Sequence, residues 1–179
     1  MKMINIFKHL KTVNEHRRLV RRYCFKIGLY AQGLTHDLSK YSPAEFLIGV
    51  KYYQGVRSPN VAERKDIGMS TAWMHHKGRN KHHYEYWVDF NESTGNYEPM
   101  LMPRRYFSEM VMDRIAACKV YKKNAYKDGD ALAYFLEKDK KEFIHKDTYN
   151  DLLRILTMLK NEGEKKTLDY IKNVYLKGR

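Results

Sequence analysis

Between Asn5 and Tyr30 the apolar residues Ile6, Leu10, Val13, Val20, Tyr23 and Ile27 recur at three-, four- or seven-residue steps. A backbone with 3.6 residues per turn gathers such residues on one face, which an extended strand cannot do. The spacing therefore predicts one long amphipathic helix, with Gly33 as its punctuation. Shorter helices are expected to follow. A helical turn fits Leu34–Lys40. Ser42-Pro43 offers a cap and a first position for a helix over Pro43–Gln54, with Glu45 in its first turn. Ser58-Pro59 starts another stretch that runs to Lys77, where Gly78 and Asn80 break it. Pro103 opens a helix to Asn124. Ala131–Lys141, Lys146–Asn161 and Glu164–Leu176 complete the set, the last two separated by Gly163.

One segment has a different period. Tyr84, Tyr86 and Val88 alternate with polar residues, Asn91–Gly95 is rich in turn formers, and Tyr97–Met102 can return. That pattern predicts a β-hairpin. The expected fold is mainly α, with a small β-hairpin insert near 84–102.

A chain of 179 residues can bury a core without disulfide or metal staples. No linker or repeat divides it, so one domain over 1–179 is expected. Cys24 and Cys118 lie in apolar contexts and do not make a disulfide framework. No apolar run approaches the roughly 18 residues of a membrane span. The N-terminal charges at Lys2, Lys8 and Lys11 precede no signal-type apolar core, so a cytoplasmic protein with no membrane partner is the expectation. Lys and Arg number 34 against 21 Asp and Glu, a net charge of +13 that favours an anionic partner.

Six of the eight histidines fall at His16, His36, His75, His76, His82 and His83. Imidazole is the commonest metal ligand among side chains. His16 shares a helix face with Val13, Val20 and Tyr23, so it should point inward. His36 and Asp37 are adjacent and can meet at one ion only if the backbone turns between them. Lys40 follows four residues after His36, where a helix would bring it over the same face. Asp113 lies in mid-helix on a face with Met110, Ala116 and Ala117. A buried carboxylate there needs a cation or hydrogen-bond donors, and either a metal or a basic side chain from another helix would serve.

The ordered set His16, His36-Asp37 and Asp113 resembles the four-ligand pattern of the HD-domain metal-dependent phosphohydrolases, an all-helical superfamily. His36-Asp37-Leu38-Ser39-Lys40 is similar to the His-Asp-x-Gly-Lys variant of its signalling-phosphodiesterase branch, and the later histidines resemble the extra ligands of two-metal members. His75-His76-x-x-x-Asn80-x-His82-His83-x-Glu85-Tyr86-Trp87, Met102-Pro103 and Glu109-Met110-x-x-Asp113 also resemble a little-characterised domain family of bacterial and phage genomes. The resemblance covers about 14–117, and it implies an HD-like helical bundle on which the helices of 118–179 pack. There are departures. Lys40 stands where single-metal nucleotidases often carry a carboxylate, and no Gly-Tyr-Pro element follows the histidines.

The resemblance implies a phosphomonoesterase or phosphodiesterase that attacks a nucleotide-like or other small phosphorylated substrate with metal-activated hydroxide. Ligands of this mix suit one or two ions of Mn, Fe, Ni, Co or Zn. The first ion would take His16, His36, Asp37 and Asp113. The second would take one member of each histidine doublet, with Asp37 bridging. His76 with His83 is preferred, although the seven-residue spacing equally suits His75 with His82. Lys40, Arg79, Lys81, Arg104 and Arg105 are candidates for phosphate binding. Lys40 and Glu109 are the candidate catalytic groups, Glu109 either orienting a ligand histidine or serving as general base. Two other readings compete. HD-type di-iron oxygenases share such ligands, and Arg17-Arg18-Leu19-Val20-Arg21-Arg22 offers a basic helix stripe to nucleic acid.

Overall fold

The computed structural model describes residues 3–137 and 141–178. Helix α1 spans Met3–Lys26 and buries His9, Val13, His16, Val20, Tyr23 and Cys24, the stripe that its spacing predicts. It ends earlier than expected because Gly28 takes φ +85°, a left-handed conformation that glycine adopts at little cost. Gly33 is not the stop. It lies inside α2 (Tyr30–Thr35), where an added Cβ would come within 3.0 Å of Cys24 Cβ, so its missing side chain lets α2 lie close on α1.

The turn expected over Leu34–Lys40 is two pieces. Helix α2 stops at Thr35, Asp37 takes a left-handed conformation (φ 54°, ψ 27°), and a 3-10 turn covers Leu38–Tyr41. Helix α3 (Pro43–Lys51) starts at the anticipated Ser42-Pro43. The stretch expected from Ser58-Pro59 to Lys77 divides into α4 (Pro59–Ile67) and α5 (Thr71–Lys77), because Gly68 turns left-handed at φ +79°. The Ser70 hydroxyl then accepts from Trp73 N at 3.0 Å and caps α5. Buried Glu63 locks the junction by accepting from Ser70 Oγ, Thr71 N and Thr71 Oγ1.

The hairpin is shorter than its predicted span. Strands β1 (Val88–Asn91) and β2 (Asn96–Pro99) pair antiparallel, with Val88 opposite Pro99 and Phe90 opposite Tyr97. Tyr84–Tyr86, which alternation assigned to a strand, forms a 3-10 turn.

Helix α6 (Arg104–Lys122) is the central rod. Phe107 through Met112, Ile115, Ala116 and Val120 are buried, so nearly its whole circumference over that stretch is covered. Helix α1 lies along it, and α7 (Asp130–Glu137) and α8 (Lys146–Tyr170) close the other side. Of the helix expected over Ala131–Lys141, Lys138, Asp139 and Lys140 lie outside the described residues. Helix α8 is interrupted at Gly163 (φ 81°, ψ 172°), the expected separator, and the chain continues through a π turn at Ile171–Tyr175. Val20 and Tyr23 of α1, Phe107, Met110, Val111, Met112 and Ile115 of α6, and Leu152, Ile155, Leu156 and Ile171 near the C-terminus share one core. Both cysteines are free thiols. No helix among the described residues is long and apolar enough to cross a membrane.

Candidate metal centre

Asp37 is the hub. Its side chain is 1% exposed and stands between two groups of imidazoles. On one side, Oδ2 lies 3.5 Å from His16 Nε2 and 3.4 Å from His36 Nε2. Asp113 Oδ1 lies 3.0 Å from the same His16 nitrogen. On the other side, Oδ1 lies 3.3 Å from His76 Nε2 and 3.4 Å from His82 Nε2. The left-handed backbone at Asp37 makes this placement: it reverses the chain just after α2, so that His36 and Asp37 converge. Asx residues tolerate that conformation better than most.

Three groups among the described residues have ligand-capable atoms mutually within 4.8 Å: His16, His36, Asp37 and Asp113; Asp37, His76, His82 and His83; and His36, His82 and Glu109. Asp37 Oδ1, His82 Nε2 and His83 Nε2 are buried without a hydrogen-bond partner. Buried polar atoms are ordinarily satisfied, and three orphans in one cluster fit a cation as the missing partner. The donor set of imidazole nitrogens and carboxylate oxygens suits Mn, Fe, Ni, Co or Zn.

A layer of carboxylates stands behind the imidazoles. Glu109 Oε1 accepts from His36 Nδ1 at 2.8 Å and lies 3.1 Å from His82 Nδ1. Glu45 accepts from His76 Nδ1 at 2.8 Å and from His75 Nδ1 at 2.7 Å. When the rings are neutral, holding the Nδ1 protons in this way leaves the Nε2 lone pairs of His36, His76 and His82 toward Asp37, an arrangement common around metal-binding histidines.

Burial and the close-set charges pull the groups of the cluster in opposite directions. Burial works against ionisation of Asp37 and Asp113, yet neighbouring imidazoles, and Lys40 beside Asp37, hold both carboxyls well below the usual range. Burial also opposes a charge on His82, but Asp37 and Glu109 raise it to about 10. Burial, helped by His82 and His76, pushes His83 far down. Lys40 Nζ lies 3.4 Å from Asp37 Oδ2 with its side chain 30% exposed; burial alone would lower its pKa, but Asp37 and Asp113 raise it.

The centre opens into a cavity of about 760 Å³ lined by His16, Asp37, Lys40, His76, His83 and Asp113. His9, Trp73, Arg114 and Tyr121 extend its walls. A family profile described as a family of unknown function (DUF5662) matches residues 5–158. The chain belongs to the DUF5662 family. Nothing among curated proteins or solved structures matches it. The matched span of this DUF5662 chain includes every residue of the three groups.

The structure brings His16, His36, Asp37, His76, His83 and Asp113 together, with Lys40 beside them. It corrects the expectation of one inward histidine per doublet. His75 does turn outward, but His82 and His83 both face the centre. They follow the end of α5, outside any helix, where adjacent side chains need not diverge by a helical step. Four of the proposed phosphate-binding cations are elsewhere. Arg104 donates to Tyr175 O at 2.7 Å near the C-terminus, and Arg105 lies over the Tyr106 ring. Arg79 donates to His75 O, and Lys81 lies 5.7 Å from the Tyr86 ring centre. None of the four lines the cavity. Glu109, offered as either an orienting group or a base, sits behind His36 and His82 and does not line the cavity either.

Sequence reasoning missed Glu45 and His9. Glu45 reads as an ordinary first-turn acid, and only the packing of α3 on α5 brings it under two imidazoles. His9 continues the inward stripe of α1 two turns before His16, which was the available signal. Burial, with Lys40 nearby, lowers its pKa to about 4.

Proposed function

We propose that this chain is a metal-dependent phosphohydrolase of the HD type, acting on a phosphomonoester or phosphodiester. The observation that carries the reading is the pair of ligand sets joined by Asp37, with three orphaned buried atoms inside the set of Asp37, His76, His82 and His83 and a cation, Lys40, beside Asp37. His16, His36, Asp37 and Asp113 would hold one ion; Asp37, His76, His82 and His83 would hold a second. Divalent ions bound there supply ionised water at neutral pH and Lewis acidity toward phosphoryl oxygens.

The chain's own residues do the rest. Lys40 presents an ammonium next to the ligands, where it attracts a phosphoryl oxygen as a point charge. Glu109 and Glu45 hold the imidazoles in one tautomer. The cavity, at about 760 Å³, accommodates an organic group of nucleotide size beside the phosphate. Trp73, Tyr84 and Tyr121 give it flat apolar surface.

Metal analysis of untagged protein, followed by hydrolysis of generic phosphate esters and a nucleotide panel, tests the reading. Bound Mn, Fe, Ni, Co or Zn with metal-restored phosphate release is the expected result. Protein that neither carries nor regains such an ion would overturn it. Iron with oxygen-dependent turnover and no phosphate release would replace it by an oxygenase.

A further inference from the structure

Two carboxylates stand behind the ligand histidines, and they are not equivalent. Glu45 touches one ligand, His76, and spends its other oxygen on His75 outside the ligand sets. Glu109 uses a single oxygen, Oε1, on a ligand from each set: His36 at 2.8 Å and His82 at 3.1 Å. The two rings lie 4.3 Å apart between centres. Their far nitrogens reach opposite oxygens of Asp37, His36 toward Oδ2 and His82 toward Oδ1, each at 3.4 Å. Glu109 itself is buried on α6, one turn before Asp113, so its carboxylate is carried by the helix that runs through the core.

We infer that Glu109 is a positioning residue shared by two ion sites, orienting one ligand of each, whereas Glu45 serves only the site containing His76. This rests on the two-ion reading above. The physical reason is that an imidazole binds through Nε2 only while its ring plane is held and its proton kept on Nδ1, and one buried oxygen does both for two rings. Ser108, next to Glu109, has a buried hydroxyl without a partner and contributes nothing comparable to the rings.

The test is a titration of the metal-stripped, untagged full chain with Co(II), read by bound metal per chain and by the visible absorption of the bound ion. Wild type should take up two ions. Glu109→Ala should weaken both by about 10- to 100-fold, the usual effect of losing a group behind a ligand. Glu45→Ala should weaken one by a similar factor and leave the other unchanged. Glu109→Gln keeps the side-chain shape and an acceptor oxygen; it should fold as wild type does and restore part of the affinity at both sites, with intermediate absorption. Two ions in wild type with only one weakened in both Glu109 variants would overturn the shared role while leaving the metal centre standing. No uptake by wild type would remove the centre and the inference together.

Discussion

Replacing Asp37 by Asn changes one atom at the point where both ligand sets meet. Asn tolerates the left-handed backbone at this position, so the chain path is kept. The carboxylate is lost from one ligand of four in each set. An amide also presents an NH2 group toward one set of imidazoles, because both oxygens of Asp37 are in use. The effect on stability separates into two parts. Without metal, Lys40 loses its nearest anion and His82 keeps Glu109 but loses the second of its two carboxylates. Breaking a buried pair costs roughly 3–5 kcal/mol, and the 30% exposure of Lys40 argues for the lower end, about 3 kcal/mol. With metal, wild type gains about 2.7 kcal/mol per ion at a free concentration of one hundred times the dissociation constant. For a chain of this size each kcal/mol moves Tm by roughly 2–4 °C, so one ion should raise Tm by about 5–10 °C.

Thermal unfolding of both proteins, with chelator and with added Zn or Mn, measures the two parts separately. Wild type should show the metal-dependent rise. Asp37→Asn should start lower and show none. An Asn variant that keeps the full metal-induced shift, or stoichiometric metal, would refute the bridging role of Asp37 and the geometry on which the functional reading stands.

Lys40→Met should leave metal content intact and lower turnover by about 100-fold, since loss of one positioned donor to developing charge typically has that size; metal analysis beside steady-state kinetics checks it, and an unchanged rate would make Lys40 structural. Gly49→Ala should destabilise the fold by about 1–3 kcal/mol, the range for overpacking, because the new Cβ would lie 2.2 Å from His9 Nε2. His9 already packs against the rings of Phe46 and Tyr53, so moving it away from a new Cβ gives up those contacts. Denaturant unfolding in a His9→Ala background should recover most of that loss, and equal destabilisation in both backgrounds would rule out the clash.

The helices were legible where a local signal was strong. The three-four spacing of α1, the Ser42-Pro43 start of α3, the Pro103 start of α6 and the break at Gly163 all appear where the residues placed them. Errors came where two local signals compete. Gly28 and Gly33 both look like stops, and only the packing of α2 on α1 distinguishes a turn glycine from a contact glycine. The Gly68 break fell inside an otherwise plausible helix, and Tyr84–Tyr86 alternates like a strand while coiling as a turn.

For the candidate centre, residue chemistry was enough to nominate the histidines, Asp37 and Asp113, because imidazole and carboxylate side chains keep their ligand character wherever the chain takes them. Which of them meet could not be read locally. A left-handed residue at 37 brings neighbours together, and a turn after α5 turns His82 and His83 the same way. The same long-range packing sends Arg104 to the C-terminal segment and brings Glu45 beneath two rings. Periodicity acts over a turn or two of backbone, whereas a centre assembled from α1, α5, α6 and the turns after α2 and α5 depends on how whole helices cross, and only the folded chain decides that.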